Sequence, residues 1–279
     1  MSTPIPLPLP TAAEDGSLPA PLEAEAARTR VILVGIGGAT CSGKTTLAKH
    51  LRSLLPNSFI IHQDDFAPPQ ATLPMHPTLN VQDWDSAPTA LDWPRQRAFL
   101  HTVKRTARLP ATHSSHDHLN VQTPVPLDEP VAAHWRAELE KKQREVEERE
   151  GVRVVWGLVD GFLMYWDKEI VDALDVRIFL RVPYEVLKQR REERVGYATA
   201  EQLAAPEGTF WRDPPGYFDE LVWPAYLDAH RSIFENSDPV NGAPILPGLI
   251  FIEPLKTSMT ELVVQCCDTL AEVFSKIQK

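Results

Sequence analysis

Five short stretches of the chain are apolar at nearly every position, and charged or turn-forming segments separate them. Residues 30–36 (Arg-Val-Ile-Leu-Val-Gly-Ile) open the series. A run this rich in β-branched residues predicts a strand buried on both faces, as in a parallel sheet. Residues 58–62, 152–159, 176–180 and 249–252 repeat the pattern. Between them, helical spacing predicts helices over 45–55 (ended by Pro56), 94–109, 184–194 and 260–276. A longer charged helix over 131–150 has one thin apolar stripe, Val131, Trp135, Leu139 and Val146. Residues 68–94 and 110–130 are dense in Pro and polar residues and read as loops. Strands alternating with helices predict an α/β fold: a mostly parallel five-stranded sheet with helices on both faces.

Residues 1–28 carry six prolines among Ala and acidic residues, too little apolar surface to offset their ordering entropy, so a disordered tail is expected there. Residues 29–279 are then expected to form one domain. The net charge of −10, from 28 basic and 38 acidic residues, argues against nucleic acid as a partner and suits a neutral or cationic small molecule. Three cysteines, two of them adjacent (Cys266 and Cys267), do not make a disulfide framework, which points to a reducing, cytoplasmic setting with nuclear access open. No apolar run is long enough to span a membrane, and no secretory signal pattern is present.

The segment Gly38-Ala39-Thr40-Cys41-Ser42-Gly43-Lys44-Thr45-Thr46 fits G-x-x-x-x-G-K-[ST] and lies between a predicted strand and helix. Its glycines let backbone N–H groups close around a β-phosphate, and the helix N-terminus favours the same anion. Lys44 would neutralise phosphate charge, and Thr45 would offer its hydroxyl to Mg²⁺. ATP and Mg²⁺ are therefore the expected cofactors. An Asn-Lys-x-Asp guanine signature is absent, which weighs against a GTPase. Asp64 and Asp65 follow the second predicted strand. Paired loop aspartates are more often solvated turn residues, but the carboxyl end of a buried strand lines the ligand crevice of such folds. A carboxylate there can accept a proton from an attacking hydroxyl.

At this point the sequence resembles the nicotinamide riboside kinase family, a branch of the P-loop kinases related to uridine kinases. The matching segments are residues 35–49, Gln63-Asp-Asp-Phe66, Asp83-Trp-Asp-Ser86 with Ala90-Leu-Asp92, Val159-Asp-Gly-Phe-Leu163, residues 182–194, and Pro215-Gly-Tyr-Phe-Asp-Glu-Leu-Val-Trp-Pro-Ala-Tyr-Leu227. They keep family order from about residue 30 to the last helix. An insertion around 105–150, with no counterpart in the shorter members, looks like a feature of fungal-type long forms.

The resemblance implies a P-loop kinase fold with a helical lid at about 184–215, and phosphorylation of nicotinamide riboside, with nicotinic acid riboside as a second acceptor, at the 5′-hydroxyl. It implies that Asp64 is the catalytic base and a Mg²⁺ contact, and that Asp160 is a further acid orienting the metal. Asp65, Phe66 and Ala67 would continue the substrate turn. Trp84 would stack on the nicotinamide ring and Asp85 would bind ribose hydroxyls. A pyridinium over a Trp face gains roughly 0.5–2 kcal/mol from cation–π attraction. Arg190 and Arg194, four apart on one helix face, would meet ATP, Arg191 the ribose, and Lys256 the adenine.

The family's second aromatic falls at Gly196 here, at the edge of the nucleotide site. Either Tyr197 takes its place with a one-residue shift or the stack is one-sided. Residues 217–223 read as packing under the lid, and the 131–150 helix as a strut. His113, His116 and His118 have a spacing that can bind zinc, but without cysteines they read as a loop cluster. A monomer is expected. The rivals are a uridine/cytidine kinase and a catalytically silent nucleotide-binding module.

Overall fold

The computed structural model describes residues 28–120, 122–194 and 212–277. Gly196, Tyr197 and all but the last residue of the expected tail lie outside them. Strands β1 (Thr29–Gly38), β2 (Ser58–His62), β3 (Arg153–Gly161), β4 (Val176–Leu180) and β5 (Leu249–Ile252) form one sheet in the order β2-β3-β1-β4-β5. Every neighbouring pair is parallel, as the uninterrupted apolar runs predict.

Alternation along each strand divides the core in two. Ile32, Val34 and Ile36 of β1 join Val154, Trp156 and Leu158 of β3 on one face. Helix α1 (Lys44–Leu54), α3 (Glu129–Glu150) and α7 (Met259–Ser275) cover that face through Leu47, Leu51, Trp135, Leu139, Val263 and Leu270. Val31 and Leu33 point to the opposite face, with α2 (Trp93–Thr106) and the segment 217–234.

The helix ends follow local chemistry. Asp92 accepts from the Arg95 amide at 3.1 Å to start α2. Ala107, at φ 55, ends it two residues before the expected Leu109. Asp128 caps α3, and Ser258 with Glu261 forms a capping box on α7. The apolar stripe of α3 docks on α1, α7 and β3, so this helix is the expected strut.

Beyond short 3₁₀ turns, two helical stretches among the described residues were not anticipated. Helix α4 (Lys168–Ala173) has six residues, too few for a helical period to register. Phe218–Val222 forms a π-helical turn that runs into α6 (Trp223–His230). Pro224 sits in the first turn of α6, a position that tolerates proline. Helix α5 (Tyr184–Glu192) opens the segment expected to form a lid. Among the described residues, no helix is long and apolar enough to cross a membrane.

Candidate active site

Because all five strands are parallel, their carboxyl ends emerge together, and the register sets His62 of β2 beside Asp160 of β3. The phosphate-binding loop leaves β1 at the same end. Gly38 has φ 138, and a Cβ there would meet the Leu180 carbonyl oxygen at 2.4 Å, so only glycine fits this close approach. Gly43, at φ 99, turns the chain into α1, and Cys41 holds a left-handed φ of 58. Ser42 is buried, and Thr46 lies half-buried in the first turn of α1. The loop has the strand–turn–helix context that phosphate binding needs.

Lys44 is buried and donates to the Ala39 carbonyl at 2.7 Å. Burial lowers its pKa, with Asp160 and Asp64 acting against the shift. The Thr45 hydroxyl donates to Asp160 Oδ2 at 2.5 Å, and His62 Nδ1 lies 3.2 Å from the same oxygen. Burial alone would raise the Asp160 pKa, but the His62 hydrogen bond, the Lys44 charge and Thr45 together lower it. Burial opposes protonation of His62, and the Asp160 bond with the Asp117 and Asp64 charges outweighs it, so its pKa is raised.

Asp64 opens to solvent in the cleft, although packed protein surrounds its base. That packing, and next the Asp160 charge, push its pKa upward. Thr45, Asp64 and Asp160 present a hydroxyl and two carboxylates, a set of hard oxygen donors that fits Mg²⁺.

Asp85 lies buried, held in a turn where the Asp83 carboxylate accepts from its amide at 3.0 Å. Tyr217 Oη is 3.2 Å from Asp85 Oδ2. Burial pushes the Asp85 pKa up to about 6, and Arg191 tempers the rise. Arg191 grips Asp213 with bonds of 2.6 and 3.1 Å and donates to Thr40 Oγ1 at 3.1 Å. Its neighbour Arg190 donates to the Cys41 carbonyl at 3.1 Å. Helix α5 is therefore docked directly on the phosphate-binding loop. Arg194 lies close enough for its charge to act on Lys44. Lys256 follows β5, exposed, 2.5 Å from Glu253.

Three of the expected substrate contacts have a different geometry. Phe66 is a core residue, 1% exposed, with its ring 5.1 Å from Phe99. The Asp65 side chain is 3% exposed and turned onto the insertion, where it meets His116 and His113. Ala67 offers its carbonyl to Arg95 at 3.2 Å. The Asp65 and Phe66 side chains are turned into the protein by the same 3₁₀ turn that exposes Asp64, and Ala67 is half-buried and bonds through its backbone. Trp84 is half-buried, and its indole N–H is buried without a hydrogen-bond partner.

Some site residues gave no sequence signal of their role. His62 read as the end of a strand, Tyr217 as packing under the lid, and Asp213 only as part of the expected lid segment. Phe218, Val222 and Trp223, read from the sequence as packing, also wall a cavity together with Tyr226, Phe162 and Leu163 after β3, and Ala39, Thr40 and Asp85. Their membership of the distinctive 215–227 block was the available clue.

A phosphate-binding loop after the central strand, carboxylates at the ends of its two neighbours on one side, and a basic helix docked on the loop define a P-loop kinase. The nicotinamide riboside kinase of Saccharomyces cerevisiae is 37% identical over 209 residues, 75% of this chain and 81% of that protein. The chain belongs to the nicotinamide riboside kinase family. The Schizosaccharomyces pombe enzyme of that name is 34% identical over 211 residues, covering 75% of this chain and 83% of its own. Human nicotinamide riboside kinase 2 is 33% identical over 205 residues, 74% and 70% of the two chains. No family model matches the chain.

Proposed function

We propose that the protein transfers the γ-phosphoryl group of ATP to the 5′-hydroxyl of nicotinamide riboside, giving the mononucleotide that feeds NAD synthesis. The observation that carries this is the placement of Asp64: a solvent-open carboxylate at the carboxyl end of β2, within electrostatic reach of Lys44 and Asp160, in a chain of this family. Asp64 takes the hydroxyl proton as the 5′ oxygen forms its bond to the γ-phosphorus, and the bond to the ADP oxygen breaks. Lys44 moves from the Ala39 carbonyl to the β- and γ-phosphates, and Arg190 and Arg194 add positive charge from the lid. Thr45 and Asp64, with Asp160 behind them, would hold Mg²⁺, which would supply charge neutralisation on the phosphates. Asp85 and Arg191 address the ribose, and the Trp84 face suits the cationic pyridinium ring.

The test is riboside-dependent ADP release. Asp64→Asn is expected to lower kcat by roughly 10²–10⁴-fold with the fold intact by circular dichroism. Turnover at the wild-type rate in that variant, or a higher kcat/KM on uridine than on nicotinamide riboside, would overturn the proposal.

A further inference from the structure

The loop at 107–128 is not needed for phosphoryl transfer as described above, yet it returns to the turn that carries Asp64. The His116 amide donates to Asp65 Oδ1 at 3.1 Å, and His116 Nδ1 is 3.2 Å from the same atom. His113 Nε2 stands 3.5 Å from Asp65 Oδ2 with no hydrogen bond between them, and burial lowers the His113 pKa, so this is a close polar approach and not an ion pair. The His113 ring packs on Phe99 at 4.6 Å and on Phe66 at 6.0 Å. Asp117 pairs with Lys49 of α1 at 2.7 Å and lies 3.9 Å from His62 Nε2. The loop thus touches His62, Asp65 and Phe66, residues on both sides of Asp64.

The turn they flank needs outside support. Gln63–Phe66 is a four-residue 3₁₀ segment, a geometry with weak internal hydrogen bonds, and its closing bond from the Ala67 amide to the Asp64 carbonyl is 3.2 Å long. From the sheet side, Gln63 Oε1 accepts from the Leu163 amide at 2.9 Å. From α2, Arg95 donates to the Asp65 and Ala67 carbonyls at 3.0 and 3.2 Å. The insertion supplies the third support and alone engages the Asp65 carboxylate in these contacts.

We propose that the inserted loop is a clamp, acting within the same chain, that positions the catalytic turn, with Asp65 as its anchor. Asp65, His113 and His116 are then positioning residues and Asp65 is not a substrate ligand. This rests on the reading of Asp64 as the base. The geometry of Asp64, which must meet a hydroxyl at hydrogen-bond distance, depends on the turn being fixed, and a displacement of about 1 Å at such a position costs on the order of 10²-fold in rate.

The experiment uses the full chain with Asp65→Ala, Asp65→Asn, His113→Ala/His116→Ala, and the combination of Asp65→Ala with both histidine changes. Asp65→Ala and the histidine pair are each expected to lower kcat about 10–100-fold, with the riboside KM held within about twofold. The combination is expected to cost less than the sum of the two, because the ring contacts with the Asp65 carboxylate are lost in either, while the His116 amide bond survives the histidine changes and is lost only with Asp65. Asp65→Asn keeps an acceptor for the His116 amide and is expected to recover most of the rate. A raised KM at unchanged kcat in Asp65→Ala, additive with the histidine changes, would make Asp65 a substrate ligand and overturn the clamp.

Hydrogen–deuterium exchange over residues 58–68 without substrate gives a second readout, expected to be faster in Asp65→Ala and in the histidine pair. Wild-type exchange in both would also overturn it. If the wild-type chain fails to phosphorylate the riboside, the substrate assignment falls and the exchange experiment still decides the clamp.

Discussion

The Thr45 hydroxyl and the Asp160 carboxylate meet at 2.5 Å, which ties the first turn of α1 to the end of β3 across the mouth of the phosphate-binding loop. The same Asp160 oxygen lies 3.2 Å from His62 at the end of β2. One buried carboxylate therefore fixes three elements that converge on the expected metal position.

Replacing Asp160 by Asn keeps the shape and removes the charge that Lys44 and His62 face. The expected result is a loss of roughly 10–100-fold in activity and a higher Mg²⁺ requirement, the usual consequence of disturbing groups that orient metal ligands. Thr45→Ser keeps the hydroxyl and is expected to stay near wild type, whereas Thr45→Val is expected to lose activity as Asp160→Asn does. Initial rates measured against Mg²⁺ concentration check both. An unchanged Mg²⁺ dependence in Asp160→Asn would remove this residue from the metal site.

Asp85 gives a pH dependence with a definite sign. Burial raises its carboxyl from the ordinary 3.8 to about 6 in the folded chain. As pH falls through about 6 the group protonates, so it loses its charge and accepts more weakly from ribose hydroxyls, and the riboside KM is expected to rise. The Tyr217 bond lowers this pKa, so Tyr217→Phe should move the same limb to higher pH.

Stability runs the other way. Below 3.8 both folded and unfolded chains carry a protonated Asp85. Between 3.8 and about 6 the unfolded chain ionises first, so folding loses stability as pH rises through that window and the full cost persists above it. Asp85→Asn is expected to stabilise the fold at pH 7 by on the order of 2 kcal/mol, with no gain near pH 3.5, while weakening riboside binding. Denaturation curves at the two pH values check the first part, and a gain of equal size at both would refute it.

The parts of this site legible from the sequence are those fixed by local pattern. Runs of β-branched residues marked all five strands, because strands buried on both faces need apolar residues at every position. The glycine spacing and Lys44-Thr45 marked the loop, and Asp64 and Asp160 followed from their places after buried strands. What was not legible depends on contacts far apart in sequence. His116 reaches Asp65 across 51 positions, and Tyr217 reaches Asp85 across 132. Nothing in a Ser-Ser-His-Asp-His loop announces its target. The inward turn of Asp65 was likewise hidden, since two adjacent aspartates look alike until a 3₁₀ turn sends one to solvent and the other into the protein.

Arg191 illustrates how a basic run divides its work by helix geometry. It is mostly buried, pinned by both oxygens of Asp213, set 5.7 Å over the Tyr217 ring and bonded to Thr40. Its planar fork serves all of these at once, which a lysine cannot do. Arg191→Lys is therefore expected to raise the riboside KM by at least about 10-fold and to loosen the lid from the loop. Asp213→Asn, which keeps one acceptor but removes the charge, is expected to have a smaller effect in the same direction. Arg190, bonded to the Cys41 carbonyl from the exposed side of α5, faces the nucleotide loop. Arg190→Ala should raise the ATP KM and leave the riboside KM nearly unchanged. Initial-rate measurements with each substrate varied in turn separate the two cases. If Arg191→Lys moves only the ATP constant, the assignment of Arg191 to the ribose side fails.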